Sequence, residues 1–145
     1  MTKWNTAAYV RLSSDDGDNA ESDSITNQRE LINYFLKNES NFKIIDYYVD
    51  DGYSGTSFNR PAFKRMIEDV NNNCINAIYV KDLSRISRNV IDLLNFSEYK
   101  LKPKNVKLVS INENDDFLNI QKKIYRDFIS KQKKIRRKCN GREKK

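Results

Sequence analysis

Apolar positions along this chain keep two alternating rhythms. Thr6 to Val10 is a short apolar run that opens into the polar stretch Ser13 to Asp23, and reads as a strand leading into a loop. Ser24 can cap a helix running to about Asn38, because Ile25, Leu31, Ile32, Phe35 and Leu36 keep helical spacing. Lys43 to Val49 is strand-like and runs into the turn-rich loop Asp50 to Gly55. Pro61 suits the first position of a second helix, whose face is Phe63, Met66, Ile67 and Val70. Ile75 to Val80 predicts a third strand, Asn89 to about Leu101 a third helix stopped by Pro103, and Val106 to Ile111 a fourth strand. A last helix begins near Phe117, with Phe117, Ile120, Ile124, Phe128 and Ile135 on one stripe. Strands alternating with helices predict an α/β fold: a mostly parallel central sheet, helices on both faces, and a long basic C-terminal helix. Residues 1–111 form the expected domain, 112–116 a short connection, and 117–145 a basic amphipathic helix and tail.

Charge sharpens that division. The chain of 145 residues carries +7 overall, but residues 117–145 hold twelve lysines and arginines against Asp127 and Glu143. The rest is mildly acidic. A basic arm on a folded domain points to a polyanion, nucleic acid before an anionic membrane surface. Arg126, Lys131, Lys133, Lys134, Arg136, Arg137 and Lys138 are the candidate DNA contacts. A solvated tail is the plainer alternative.

Composition also removes chemistries. With no histidine there is no Ser–His–Asp or Cys–His triad and no His-ligated metal, and two cysteines cannot build a four-ligand zinc site. No apolar run approaches the ~20 residues that span a bilayer. The polar N-terminus lacks a secretory signal, so a cytoplasmic protein without membrane attachment is expected.

What remains sits in three polar loops at predicted strand ends, the edge where parallel sheets gather functional groups. The first holds Arg11 and Ser13, which strand alternation sends to one side with Tyr9. The second holds Ser54, Gly55, Thr56 and Arg60, and the third Arg85 and Arg88. Arginines gathered without compensation suit phosphate, which the guanidinium fork matches bidentately. A serine among them suggests attack on phosphorus, with the arginines stabilising the transition-state charge. Singly, Tyr9 is a core residue, Asp50 to Gly55 a tight turn, and Arg85 and Arg88 surface cations.

These stretches resemble the serine recombinases, most closely the catalytic domain of their large branch. The resemblance rests on Tyr9-Val10-Arg11-Leu12-Ser13-Ser14, Glu21 to Gln28, Asp50 to Phe63, and Val80 to Asn89, in that order. It implies a resolvase-like fold and a site-specific DNA recombinase. Ser13 would attack a DNA phosphodiester to give a 5′-phosphoserine and a free 3′-hydroxyl. Arg11, Gln28, Ser54, Arg60, Arg85 and Arg88 would complete the catalytic set, and Ser14 would be an adjacent decoy. Double-stranded DNA is the implied partner, bound by homodimers that pair into tetramers, with no metal, ATP or other cofactor. Ser84 stands where the small branch has an aspartate, as is common in the large branch. The five-residue connection from Asn112 to Asp116 is shorter than usual, and the chain stops at Lys145 without the family's recombinase domain, zinc ribbon and coiled coil. A fragment or a decayed gene is the expectation. The alternative is a catalytically silent remnant that binds DNA or a full-length recombinase through its last helix.

Overall fold

A computed structural model describes residues 3–13 and 24–143. Ser14 and the rest of the polar loop to Asp23 lie outside the described residues. Four parallel strands, β1 (Trp4–Leu12), β2 (Phe42–Asp51), β3 (Ala77–Val80) and β4 (Lys107–Ser110), form one sheet in the order β2-β1-β3-β4. The helices are α1 (Ile25–Leu36), α2 (Pro61–Asn71), α3 (Val90–Asn95) and α4 (Asp115–Glu143).

Side-chain alternation in β1 feeds two cores. Ala8 and Val10 meet Ile32 and Leu36 of α1 and Tyr79 of β3 on one face. On the other, Tyr9 packs edge-on to Phe63 of α2, at 5.6 Å between ring centroids. Met66 and Val70 complete the buried face of α2. Each large apolar side chain so buried contributes roughly 1.5–3 kcal/mol. The expected parallel sheet with helices on both faces is what forms.

Several element boundaries shift for identifiable reasons. Ser24 does cap α1, accepting from the Asn27 N–H at 3.1 Å. β2 runs through Asp50 and Asp51, which the sequence reading placed in a turn, because β1 continues beside it to the pair Leu12↔Asp51. The turn comes one residue later, at Gly52, whose φ of 89° is left-handed and whose N–H donates to the Leu12 carbonyl at 2.6 Å. The third helix is not uniform: α3 widens into a π-helical turn, Phe96–Leu101, before Pro103 and the left-handed Asn105 end it.

The chain divides into two compact units, Met1–Asn114 and Asp115–Lys145. The second is α4, which starts two residues before Phe117; Asp116 in its first turn suits the positive end of the helix dipole. Phe117, Ile120, Ile124, Phe128 and Ile135 are exposed along it. Among the described residues, no helix is long and apolar enough to cross a membrane.

Candidate active site

The site begins where two strands part. β1 leaves β3 after the pair Ala8↔Tyr79 but stays beside β2 to its end. Alternate residues of a parallel strand turn their peptide groups to opposite neighbours, and Leu12 bonds toward β2. The Arg11 N–H and C=O therefore face the side that β3 has left, where unmet peptide groups would be costly. Gln28, fully buried on α1, supplies the missing rung. Its Nε2 donates to the Arg11 carbonyl at 3.0 Å, and its Oε1 accepts the Arg11 N–H at 3.3 Å. Arg85 Nη1 donates to the same carbonyl at 2.9 Å. Both residues thus fix the backbone two positions before Ser13, which follows β1 and is nearly buried.

The Arg11 guanidinium then ties the loops after β2 and β3 to the end of β1. Its Nη1 donates to the Tyr53 carbonyl at 3.0 Å, its Nη2 to that of Ser84 at 2.7 Å, and its Nε to that of Arg85 at 3.1 Å. Gly55 lies so close that a Cβ there would sit 2.7 Å from Arg11 Nη2 and 2.9 Å from Arg88 Cγ. Its carbonyl accepts the Arg88 N–H at 3.0 Å. Arg60 Nη1 donates to the Arg85 carbonyl at 2.7 Å, its Nη2 to that of Ile86, and its Nε to that of Ser57 at 2.9 Å. Arg11, Arg60 and Arg85 are only 0%, 1% and 3% exposed, so the surface-cation reading fails for Arg85. Arg88 is exposed.

A carboxylate underpins this cluster. Asp50 accepts the Ala62 N–H at 2.9 Å and the Phe63 N–H at 3.0 Å, capping α2, and also the Tyr9 hydroxyl at 2.7 Å. Tyr9 in turn accepts from Arg60 Nη1 at 2.8 Å. Burial, reinforced by the bond to Asp50, pushes the Tyr9 hydroxyl well above the usual tyrosine range despite the Arg60 charge. Burial also lowers Arg60. Arg11 comes down to about 10, through burial first and then the Arg60 and Arg85 charges. Asp82 pairs with Arg85 at 3.3 Å.

The remaining residues are less tightly drawn in. Ser54 is half-buried in the loop after β2, and its hydroxyl lies 2.9 Å from that of Thr56. Arg126, Lys131, Lys133, Lys134, Arg136, Arg137 and Lys138 are all exposed on α4. Among the described residues, no group of three or more His, Cys, Asp or Glu side chains could hold a metal ion. Tyr9, Asp50 and Gly55 were not among the expected site residues. For Asp50 a signal existed: two residues beyond Tyr48 in β2, it shares that residue's inward face.

Known proteins share this fold. The family model described as "Resolvase, N terminal domain" matches residues 6–145. The chain belongs to that family, and its described domain is a serine recombinase catalytic domain. A Bacillus subtilis (strain 168) protein named "Putative DNA recombinase" is 30% identical over 106 residues, or 73% of this chain. The match spans only 20% of that relative's length. Among solved structures, the N-terminal catalytic domain of TP901-1 integrase is 26% identical with a TM-score of 0.73, over 87% of this chain and 97% of that one. A resolvase family site-specific recombinase from Streptococcus pneumoniae shares the fold at 23% identity and a TM-score of 0.63, over 99% of this chain and 100% of that one.

Proposed function

We propose that this domain cleaves and rejoins DNA strands at specific sites. The observation that carries the proposal is the set of bonds to backbone carbonyls, from the guanidinium groups of Arg11, Arg60 and Arg85 and from the Arg88 backbone N–H, that gathers these residues beside the strand end bearing Ser13. Ser13 Oγ attacks a backbone phosphorus and gives up its proton to solvent. The bond to the 3′ oxygen breaks and that oxygen takes a proton from solvent, leaving a 5′-phosphoserine and a 3′-hydroxyl. Reversal on an exchanged strand restores the phosphodiester, so no ATP is consumed. The exposed Arg88 and the buried arginines stabilise the charge that builds on phosphorus. Gln28 acts through the Arg11 backbone, and Ser54 lies on the loop that Arg11 holds.

The substrate is double-stranded DNA held by homodimers that pair into tetramers, in the cytoplasm where bacterial DNA lies. The test uses a nicked cognate site, on which religation is blocked and a covalent protein–DNA adduct accumulates. Peptide mapping should place the linkage on Ser13; a linkage on any other residue overturns the assignment. DNA binding without any adduct would favour the alternative, a silent remnant that holds DNA or a full-length recombinase through α4.

Two further outcomes follow from the geometry. Gly55→Ala should lower the single-turnover cleavage rate by roughly 10²-fold, the scale of losing one preorganised donor, because the new methyl displaces Arg11. Its DNA affinity should hold. The exposed cations of α4 should make binding steeply salt-dependent: if about six meet phosphates, log affinity falls against log salt with a slope near −5. Titration across salt concentrations checks this, and a flat response removes α4 as the DNA contact.

A further inference from the structure

Glu113 lies two residues before α4 in the chain, in the connection to which the sequence reading gave no role of its own. Its carboxylate oxygens stand 3.4 and 3.3 Å from the Leu83 N–H. It also accepts the Ser110 hydroxyl, and that hydroxyl accepts the Glu113 N–H at 3.3 Å. Beside it the backbone is zipped to the end of β3. Ile111 N–H donates to the Val80 carbonyl at 3.0 Å, and Asn112 N–H to that of Lys81 at 2.9 Å.

Leu83 opens a single 3₁₀ turn, Leu83–Arg85, and the two ends of that turn are held by opposite charges. At its amino end, Leu83 N–H meets Glu113, and Ser84 N–H meets Asp82 Oδ1 at 3.1 Å. At its carboxyl end, the carbonyls of Ser84 and Arg85 accept from Arg11, and that of Arg85 also from Arg60. Carboxylates at the amide end and guanidinium groups at the carbonyl end both suit the turn's dipole. Glu113 and Arg11 thus hold opposite ends of one short turn.

We infer that Glu113 is a positioning residue. It fixes the Leu83–Arg85 turn, and through it the Arg11 guanidinium, so that the segment that leads into α4 bears on the arginine cluster by way of that turn. The effect on cleavage rests on the recombinase reading above; the effect on Arg11 does not. The test compares Glu113→Ala with Glu113→Gln in the full chain. Glutamine keeps an oxygen for the Leu83 N–H and an N–H₂ for the Ser110 hydroxyl, and so should preserve the hold.

In ¹H–¹⁵N spectra without DNA, Glu113→Ala should lower the hydrogen-exchange protection of the Leu83 amide at least tenfold and shift the Arg11 Nε–H resonance. Glu113→Gln should leave both near wild type. On a nicked site, the maximal rate of adduct formation should fall about tenfold in Glu113→Ala, with the half-saturating DNA concentration unchanged. An unmoved Arg11 resonance in folded Glu113→Ala overturns the inference, as does a Glu113→Gln variant as impaired as Glu113→Ala. If Glu113→Ala does not fold, Ser110→Ala must shift the same resonance. A shifted resonance with no adduct even from wild type sustains the positioning role and refutes the recombinase reading instead.

Discussion

Ser13→Ala is expected to abolish the covalent protein–DNA adduct while leaving the folded domain and its DNA affinity as they were. The reason is chemical rather than structural. Ser13 supplies the hydroxyl that attacks phosphorus in this reading, and alanine has no oxygen with which to form the ester. Ser13 is small, so removing its oxygen disturbs little packing, and the thermal midpoint should move by only a few degrees. Denaturing gels of the nicked-site reaction are the measurement, with Ser14→Ala as a companion that should still react. An adduct surviving Ser13→Ala defeats the assignment. The wild-type rate should also carry the signature of Arg11. Its guanidinium is charged at neutral pH and loses its proton from about pH 10, so cleavage should fall away above that point. The sign follows from the chemistry: the protonated, cationic form stabilises phosphoryl charge, and raising the pH removes it.

Periodicity made the architecture legible, because a two-residue rhythm in strands and a 3.6-residue rhythm in helices are local properties. Thus Phe63, Met66 and Val70 emerged as the buried face of α2, and Ile32 and Leu36 as that of α1, although Phe35, expected on the same stripe, is exposed. The arginines were legible by type and by their place at strand ends. Their working geometry was not. Arg11 meets Ser84 and Arg85 across more than seventy residues of chain, and no local pattern announces such a bond. Gln28 emerged only through resemblance, since its task is to replace the sheet pairing with β3 that stops at Tyr79. Asp50 was hidden by its neighbours: Asp-Asp-Gly reads as a turn, yet strand pairing carries through both aspartates. Gly55 likewise passes for a turn residue. What demands glycine there is the approach of the Arg11 side chain, with no positive φ involved.

Asp50→Ala should be the most destabilising single change at this site, costing about 3–5 kcal/mol. The residue is 2% exposed and accepts three hydrogen bonds, from Tyr9 Oη and from the Ala62 and Phe63 amides. Alanine leaves all three donors buried without an acceptor, uncaps α2, and removes a negative charge beside Arg60. For a domain of this size the midpoint of thermal unfolding should drop by roughly 10–20 °C, read by circular dichroism. Asp50→Asn should lose less, because its amide oxygen can still serve an α2 amide while its N–H₂ faces the other donors. Tyr9→Phe should lose least, about 1 kcal/mol, since Arg60 Nη1 keeps the Arg85 carbonyl and Asp50 keeps both helix amides. The expected order is therefore Ala at 50, then Asn at 50, then Phe at 9. A Tyr9→Phe variant as unstable as Asp50→Ala would mean that the hydroxyl relay to Arg60, rather than the cap of α2, carries the energy of this carboxylate.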